Sequence, residues 1–155
     1  MHKNEELRLN TELSIAGKKL LFWGAVLFLV GLLQGALIPY FLNSRMALSA
    51  HLAAVQSGMA LMLFGLMWGH LALREKWLKV TYFSSIVSMY TVWIAITLAS
   101  ILGASKALPM AGRGFSSTPF NEMIVEVIVT AGAGLGIISA GLIVLGLYKG
   151  LKSKT

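Results

Sequence analysis

Cysteine and aspartate are both absent from this chain of 155 residues, and charged residues make up only 12% of it. The absence of cysteine excludes disulfides, thiolate metal sites, iron–sulfur clusters and a cysteine nucleophile. With no aspartate and only six glutamates, most carboxylate-rich sites for calcium or magnesium are excluded as well. Hydrophobic residues make up 57% of the chain. Any chemistry must therefore come from a small number of polar side chains in an apolar protein.

Four long apolar runs contain most of the hydrophobic residues. Each run is long enough to cross a hydrocarbon layer of ~30 Å, which takes about 20 helical residues. The runs predict an all-α fold, an integral membrane four-helix bundle. Residues 20–151 are expected to form a single domain that follows a polar N-terminal tail of residues 1–19. The predicted spans are approximately 20–41, 47–73, 78–102 and 121–148.

The thirteen basic residues are shared unevenly between the two ends of these runs. If the runs are helices, ten basic residues lie at one end and only Arg45, Lys106 and Arg113 at the other. Short loops rich in lysine and arginine stay in the cytoplasm, so both termini are predicted to be cytoplasmic. We expect a multi-pass protein of the inner (cytoplasmic) membrane, in contact with lipid. The net charge of +7 then reflects membrane orientation, and no nucleic-acid partner is expected.

Ionisable side chains inside the apolar runs are functional candidates, because a charge is costly to place in a membrane. His51 lies in the second run and Glu122 and Glu126 in the fourth, all near the end that carries Arg45. The two glutamates are four residues apart on one helix face, which suits either a carboxylate pair or separate basic partners. His51 can be a hydrogen-bonded structural histidine, a proton carrier or an axial haem ligand. His70 is about 28 Å further along the same helix, too far to be a second ligand.

The third run carries a stripe of small hydroxyl side chains with aromatic residues beside it. Ser88 belongs to this stripe, and Tyr90 and Trp93 lie next to it. Such a stripe can line a small polar pocket with aromatic walls, although small hydroxyls also commonly join membrane helices. The connection over residues 103–119 is the only loop long enough to fold over a site as a lid.

Glycines recur four residues apart in the first run, at Gly31 and Gly35, and in the fourth, at Gly132 and Gly136. This spacing lets helix backbones approach closely. Packing within the bundle is one interpretation, and a subunit interface is the alternative.

The segment 43–52, followed by Gly58-Met59, resembles the hydroxylaminobenzene mutases, as do residues 109–112 and Asn121-Glu122. That family converts hydroxylaminobenzene to 2-aminophenol by moving a hydroxyl from nitrogen to the ring, without net redox change. The chain is also distantly similar to styrene oxide isomerase, whose family binds haem b through a histidine and forms trimers. The resemblance implies that His51 is the axial ligand of a haem b iron. It also implies a homo-oligomer, with a trimer as the expected state.

Three positions depart from the pattern of the epoxide isomerases. Where those enzymes have an asparagine after the histidine, and an aspartate and a tyrosine in the third span, this chain has Ser57, Ser88 and Ile96. The differences argue against epoxide isomerisation and leave His51 unaffected.

The resemblance thus implies a membrane isomerase that acts on an arylhydroxylamine, a small aromatic substrate, with haem iron as the Lewis acid that polarises the N–O bond. Three groups of residues are expected to carry the function: Glu122, Glu126 and Tyr90 as proton carriers; Ser57, Ser88, Trp93 and Phe120 as substrate contacts; and Arg45 beside His51 in cofactor binding.

Two alternatives stay open from the sequence. The first is a haem-binding membrane subunit that passes electrons to quinone, with its second axial ligand from another chain. The second is a small proton-coupled transporter that uses Glu126.

Overall fold

The computed structural model describes the backbone of residues 2–152 and the side chains of residues 15–152. Within this part of the chain it contains α-helices and two single-turn 3-10 helices, and no strand. The all-α prediction is confirmed. The α-helices are α1 (His2–Leu37), α2 (Ser44–Met67), α3 (Glu75–Leu102), α4 (Pro109–Gly112) and α5 (Pro119–Lys152). The 3-10 turns are Ile38–Tyr40 and Trp68–His70.

Four stretches are long and apolar enough to cross a membrane, in the places where the sequence predicts four runs. Each begins a few residues earlier than predicted, and α1 continues back to His2, so that much of the polar N-terminal segment is helical. The stretches are Ile15–Tyr40, Ser44–His70, Glu75–Leu102 and Pro119–Lys152.

Local sequence signals explain where the long helices start and stop. Asn43 is fully buried and caps α2, because its side-chain oxygen accepts a hydrogen bond from the backbone N–H of Met46 at 3.1 Å. Gly103 ends α3 in the left-handed conformation, with φ +69°, which glycine adopts without steric cost. Pro39 lies in the 3-10 turn after α1, where a missing backbone N–H is tolerated.

The long helices pack in the order α1, α2, α3 and α5, each against the next. In the described part of the chain, α1 and α5 share no comparable interface. The α1–α2 contact is very close: a Cβ added to Gly24 would lie 2.7 Å from the carbonyl oxygen of Gly58. A Cβ at Gly31 would lie 2.8 Å from the Cβ of Ala54. Backbones meet here because the glycines have no side chains.

The α3–α5 contact depends on glycine in the same way. A Cβ at Gly132 would lie 2.9 Å from the side chain of Val92, and one at Gly136 would lie 2.7 Å from Oγ of Ser88. The paired glycines of the first and fourth runs therefore serve helix packing within the chain.

Candidate functional site

His51 of α2 is held against one turn of α1. Its Nδ1 lies 2.7 Å from the carbonyl oxygen of Gly31. A carbonyl oxygen can only accept, so Nδ1 carries the hydrogen and donates it. In a neutral imidazole, Nε2 is then the unprotonated nitrogen. Nε2 makes no hydrogen bond with any residue that the structure describes, so its lone pair is available.

Gly35 supports the same ring from a second position on α1. A Cβ at this residue would lie 2.9 Å from both Cε1 and Nδ1 of His51. The half-buried imidazole can occupy this position only because residue 35 has no side chain. Gly31 and Gly35 together fix the tautomer and the orientation of the ring.

This arrangement suits a histidine that binds a metal. Metal-binding histidines usually donate their second N–H to a carbonyl or carboxylate, as His51 does to Gly31. The described side chains include no group of three histidines, cysteines or acids that could hold a metal ion. His51 thus offers one protein ligand, which fits a metal held inside a prosthetic group, such as the iron of haem. A bare metal ion would need several protein ligands. His70 lies at the far end of α2, in the second 3-10 turn.

Gln34 lies next to Gly35 and connects α1 to α3. Its buried side chain accepts a hydrogen bond from Nε1 of Trp93 at 2.7 Å and donates one to Oγ1 of Thr97 at 3.1 Å. Thr97 in turn donates to the carbonyl oxygen of Trp93 at 2.9 Å. Gln34 was not among the expected site residues, because those expectations came from ionisable groups, from the hydroxyl and aromatic residues of the third run and from the family resemblance. The available signal was that Gln34 is the only amide in the run 20–41.

Tyr90 adds a second hydroxyl to this α1–α3 face. Its hydroxyl donates to the carbonyl oxygen of Trp23 at 2.8 Å. The Tyr90 ring lies edge-on to Trp23 and Trp93, with centroid separations of 6.3 and 6.4 Å. We call Trp23, Gln34, Tyr90, Trp93 and Thr97 the aromatic–amide face. One turn of α1 connects this face to His51, because Gly31 and Gly35 of that turn contact His51 and Gln34 contacts Trp93.

Glu122 at the start of α5 holds the connection between α3 and α5. Its carboxylate accepts the backbone N–H of Ser105 at 3.0 Å, of Lys106 at 2.9 Å and of Ser117 at 3.2 Å. One turn later, Glu126 accepts a hydrogen bond from Nζ of Lys106 at 2.7 Å. This hydrogen bond raises the pKa of Lys106 above the usual lysine value. Both glutamates therefore bind the loop.

The same loop also contacts the start of α2. The side-chain nitrogen of Asn43 donates to the carbonyl oxygen of Ala111 at 3.1 Å, and the guanidinium of Arg45 donates to that of Arg113. The loop is thus folded over this end of the helices, where the sequence predicts a lid. Arg45 and Arg113, with Lys106, gather at one end of the molecule.

Comparison with known proteins supports one family for this arrangement. The family model of styrene oxide isomerase matches residues 16–148, from the apolar part of α1 to nearly the end of α5. The chain belongs to the styrene oxide isomerase family. No solved structure matches it.

Two relatives are both named hydroxylaminobenzene mutase. The chain is 38% identical over 103 residues to the hydroxylaminobenzene mutase HabA of Ectopseudomonas oleovorans, a match that covers 66% of this chain and 76% of HabA. It is also 38% identical over 109 residues to HabB of the same organism, covering 70% of this chain and 66% of HabB. The relationship to the hydroxylaminobenzene mutases and to styrene oxide isomerase is confirmed.

Most predicted site residues of this styrene oxide isomerase family member fall in two places. The first is the turn of α1 that joins His51 to the aromatic–amide face, which includes Tyr90 and Trp93. The second is the loop end, with Arg45, Glu122 and Glu126. Neither glutamate hydrogen bonds to His51; their partners, in the described part of the chain, are loop residues.

The remaining predicted substrate contacts make no hydrogen bond to either group in the described part of the chain. Ser88 is buried between α3 and α5, where its hydroxyl donates to the carbonyl oxygen of Gly132 at 2.8 Å. Phe120 is exposed at the start of α5. Ser57 is half-buried on α2, and its hydroxyl has no hydrogen bond to the residues that the structure describes.

Proposed function

We propose that this protein is a membrane isomerase that rearranges an arylhydroxylamine to a 2-aminophenol. The observation that carries the proposal is the fixed imidazole of His51, with an available Nε2, in a chain 38% identical to two proteins named hydroxylaminobenzene mutase. The adjoining aromatic–amide face supplies rings for an aromatic substrate and polar groups for its substituents.

The proposal places the four apolar stretches across the inner membrane, with both termini in the cytoplasm. The lengths and compositions of these stretches support insertion. The charge distribution supports the orientation, because Arg45, Lys106 and Arg113 are the only basic side chains at the loop end among those that the structure describes. An aromatic substrate partitions into the bilayer and can reach the helices from the side.

The proposed reaction needs no oxidant or reductant. The N–O bond breaks and a C–O bond forms at the ortho carbon of the same molecule. The ortho carbon loses a proton and the nitrogen gains one, so product and substrate are isomers. The protein must therefore bind the ring, hold the hydroxyl-bearing nitrogen in one orientation and move protons.

His51 is the residue that would hold haem b, through Nε2. Haem iron, when bound there, supplies a Lewis acid for the hydroxylamine oxygen. In the neutral imidazole, the hydrogen bond from Nδ1 to Gly31 leaves Nε2 as the nitrogen with the available lone pair, and the absence of a side chain at Gly35 leaves room for the ring. The proposal includes the homotrimer implied by the family.

Among the predicted proton carriers, we assign the main role to Tyr90. Its hydroxyl lies on the aromatic–amide face and can exchange its hydrogen bond to Trp23 for one to the substrate, give its proton to the nitrogen and recover the proton that the ortho carbon loses. Trp93 is the proposed ring contact, and Gln34 holds its indole in place. Glu122 keeps the loop closed, and Glu126 does so through Lys106.

The test is conversion of hydroxylaminobenzene by the detergent-purified protein without oxygen or reductant, with 2-aminophenol measured by chromatography. We expect turnover by the wild-type protein and at least a 100-fold loss in His51→Ala, in line with the removal of a group that organises catalysis. His70→Ala is the matched control and keeps full activity. An absolute requirement for NADPH, or full activity in His51→Ala, overturns the proposal. Reversible one-electron reduction without turnover indicates an electron-transfer subunit instead.

A further inference from the structure

A cavity of about 590 Å³ lies at the end of the molecule opposite the loop. It is bounded by the start of the apolar part of α1, the second 3-10 turn with the residues after it, and the first turns of α3. Its walls are mostly apolar. The apolar residues that line it are Ile15, Ala16, Leu71, Leu73 and Leu78. This volume is typical of sites that bind a small organic molecule or part of a lipid.

The charged residues at the cavity are predominantly basic. Among the residues that the structure describes, Lys19 and Lys79 line it together with one acid, Glu75. Lys79 pairs with Glu75 at 2.6 Å, whereas Lys19 has no ion pair with any side chain that the structure describes. Arg74 and Lys76 flank Glu75 in the sequence and are exposed. An anion is therefore favoured at the rim of the cavity.

One of the residues that line the cavity, Trp68, has an unsatisfied donor. It lines the cavity, is 2% exposed and lies edge-on to Tyr82. Its indole N–H is buried and has no hydrogen-bond partner in the part of the chain that the structure describes. Buried donors without a partner are rare, because each loses its hydrogen bond to water. An ester or phosphate oxygen of a ligand is an acceptor of the right chemistry.

We propose that this cavity binds an anionic phospholipid. The hydrocarbon chain packs against the apolar wall, the phosphate lies at the Lys19 and Lys79 rim, and a lipid oxygen accepts the hydrogen of Trp68. This inference rests on the membrane placement in the proposed function, which puts the cavity at the cytoplasmic leaflet, where basic pockets between helices bind anionic headgroups. It is independent of the isomerase reaction.

The charge at the rim sets the expected selectivity. A basic side chain near an anionic lipid strengthens its binding by about fivefold. Lys79 is already paired with Glu75, so Lys19 carries most of the preference. We therefore expect phosphatidylglycerol to bind about fivefold more tightly than phosphatidylcholine with the same chains, and Lys19→Gln to remove most of this preference.

Native mass spectrometry of the full-length protein in detergent, titrated with each lipid, measures these affinities. The matched control is Lys149→Gln, which removes a lysine at the same end of the molecule but outside the cavity. It should leave the preference unchanged. In parallel, brominated phosphatidylglycerol should quench the tryptophan fluorescence of the wild-type protein, and Trp68→Phe should lose part of that quenching while it still binds lipid.

Three results overturn the proposal. Equal binding of the two lipids shows a site for hydrocarbon alone, and glycerol phosphate that competes fully with the lipid shows a site for free phosphate. An equal effect of Lys19→Gln and Lys149→Gln shows diffuse attraction to the whole basic end. Carbonate extraction of membranes from the expressing cells separates failure of the membrane placement from failure of the lipid site. Release of the protein by carbonate refutes the membrane placement. Retention of the protein in the membrane, together with equal binding of the two lipids, refutes only the lipid site.

Discussion

Replacement of Gly35 by alanine tests the proposed positioning of His51 most directly. The added Cβ would lie 2.9 Å from Cε1 and Nδ1 of the ring, whereas ordinary van der Waals contact begins at 3.4 Å. The ring and α1 must therefore separate by about 0.5 Å, which is the difference between 3.4 Å and 2.9 Å. This movement pulls Nδ1 away from the carbonyl oxygen of Gly31, which now lies at 2.7 Å.

The expected loss of stability is about 1–3 kcal/mol. Overpacking of a close contact costs about 1–3 kcal/mol. Loss of the hydrogen bond from His51 adds about 1 kcal/mol. Alanine is favoured over glycine inside a helix by roughly 0.5–1 kcal/mol, which offsets part of this cost. Loss of a hydrogen bond to a metal-binding histidine typically weakens metal binding by about 10–100-fold, so the affinity for the proposed haem should fall by that factor.

The assays are unfolding in detergent, haem titration followed by visible absorption, and conversion of hydroxylaminobenzene. Gly134→Ala is the control, because nothing lies within 4 Å of a Cβ at that position, and it should be neutral or slightly stabilising. If Gly35→Ala matches Gly134→Ala in all three assays, the close contact between α1 and His51 has no functional role and our reasoning about the site is wrong.

Three further predictions concern the remaining polar contacts. Gln34→Leu leaves the indole N–H of the half-buried Trp93 without its acceptor, and should lower the free energy of unfolding by about 1 kcal/mol in a denaturation experiment. Asn43→Ala removes a helix cap and a hydrogen bond to the loop, each worth about 1 kcal/mol, and should cost about 2 kcal/mol in the same measurement. Glu126 raises the pKa of Lys106. The contact therefore stabilises the loop fully at a pH below the ordinary lysine pKa, and this stabilisation is lost as the pH rises through the raised pKa. NMR titration of the Lys106 side chain should show the upward shift.

Each of these predictions has a control. Gln56→Leu replaces an exposed amide on α2 and should leave stability nearly unchanged; an equal loss there would contradict the role of Gln34. Asn43→Ser keeps a capping residue and should recover about half of the loss seen with alanine. In Glu126→Gln, Lys106 should titrate at the usual pH for lysine, and an unchanged midpoint would show that another group causes the shift.

The four long helices could be predicted because the hydropathy of each run is averaged over more than twenty residues. The start of α1 was harder to predict. Residues 2–14 are polar, yet they include three glutamates and three leucines, which are good helix formers, and the helix continues through them. Hydropathy locates a membrane stretch, and it does not locate the end of a helix that extends beyond that stretch.

The site could be predicted only in part, because its key contacts depend on how the helices are rotated. His51 stands out in the sequence as an ionisable residue in an apolar run. Its partner, the carbonyl group of Gly31, does not, since every residue has a carbonyl and only the close packing of α1 on α2 selects this one. The contacts of Glu122 are likewise invisible in the sequence, because they go to backbone N–H groups of a loop whose path depends on tertiary structure.

The order of helix packing gives the molecule a direction in which it comes apart under force. Pulled from the carboxyl terminus, α5 has chiefly α3 to separate from, since it shares no comparable interface with α1 in the described part of the chain. The α1–α2 hairpin, whose backbones touch at Gly24 and Gly58, should be extracted last and at the highest force. Single-molecule force traces should therefore differ between the two ends. When the protein is pulled from the carboxyl terminus, the α1–α2 hairpin, with the His51 contact inside it, is the part that survives longest under load.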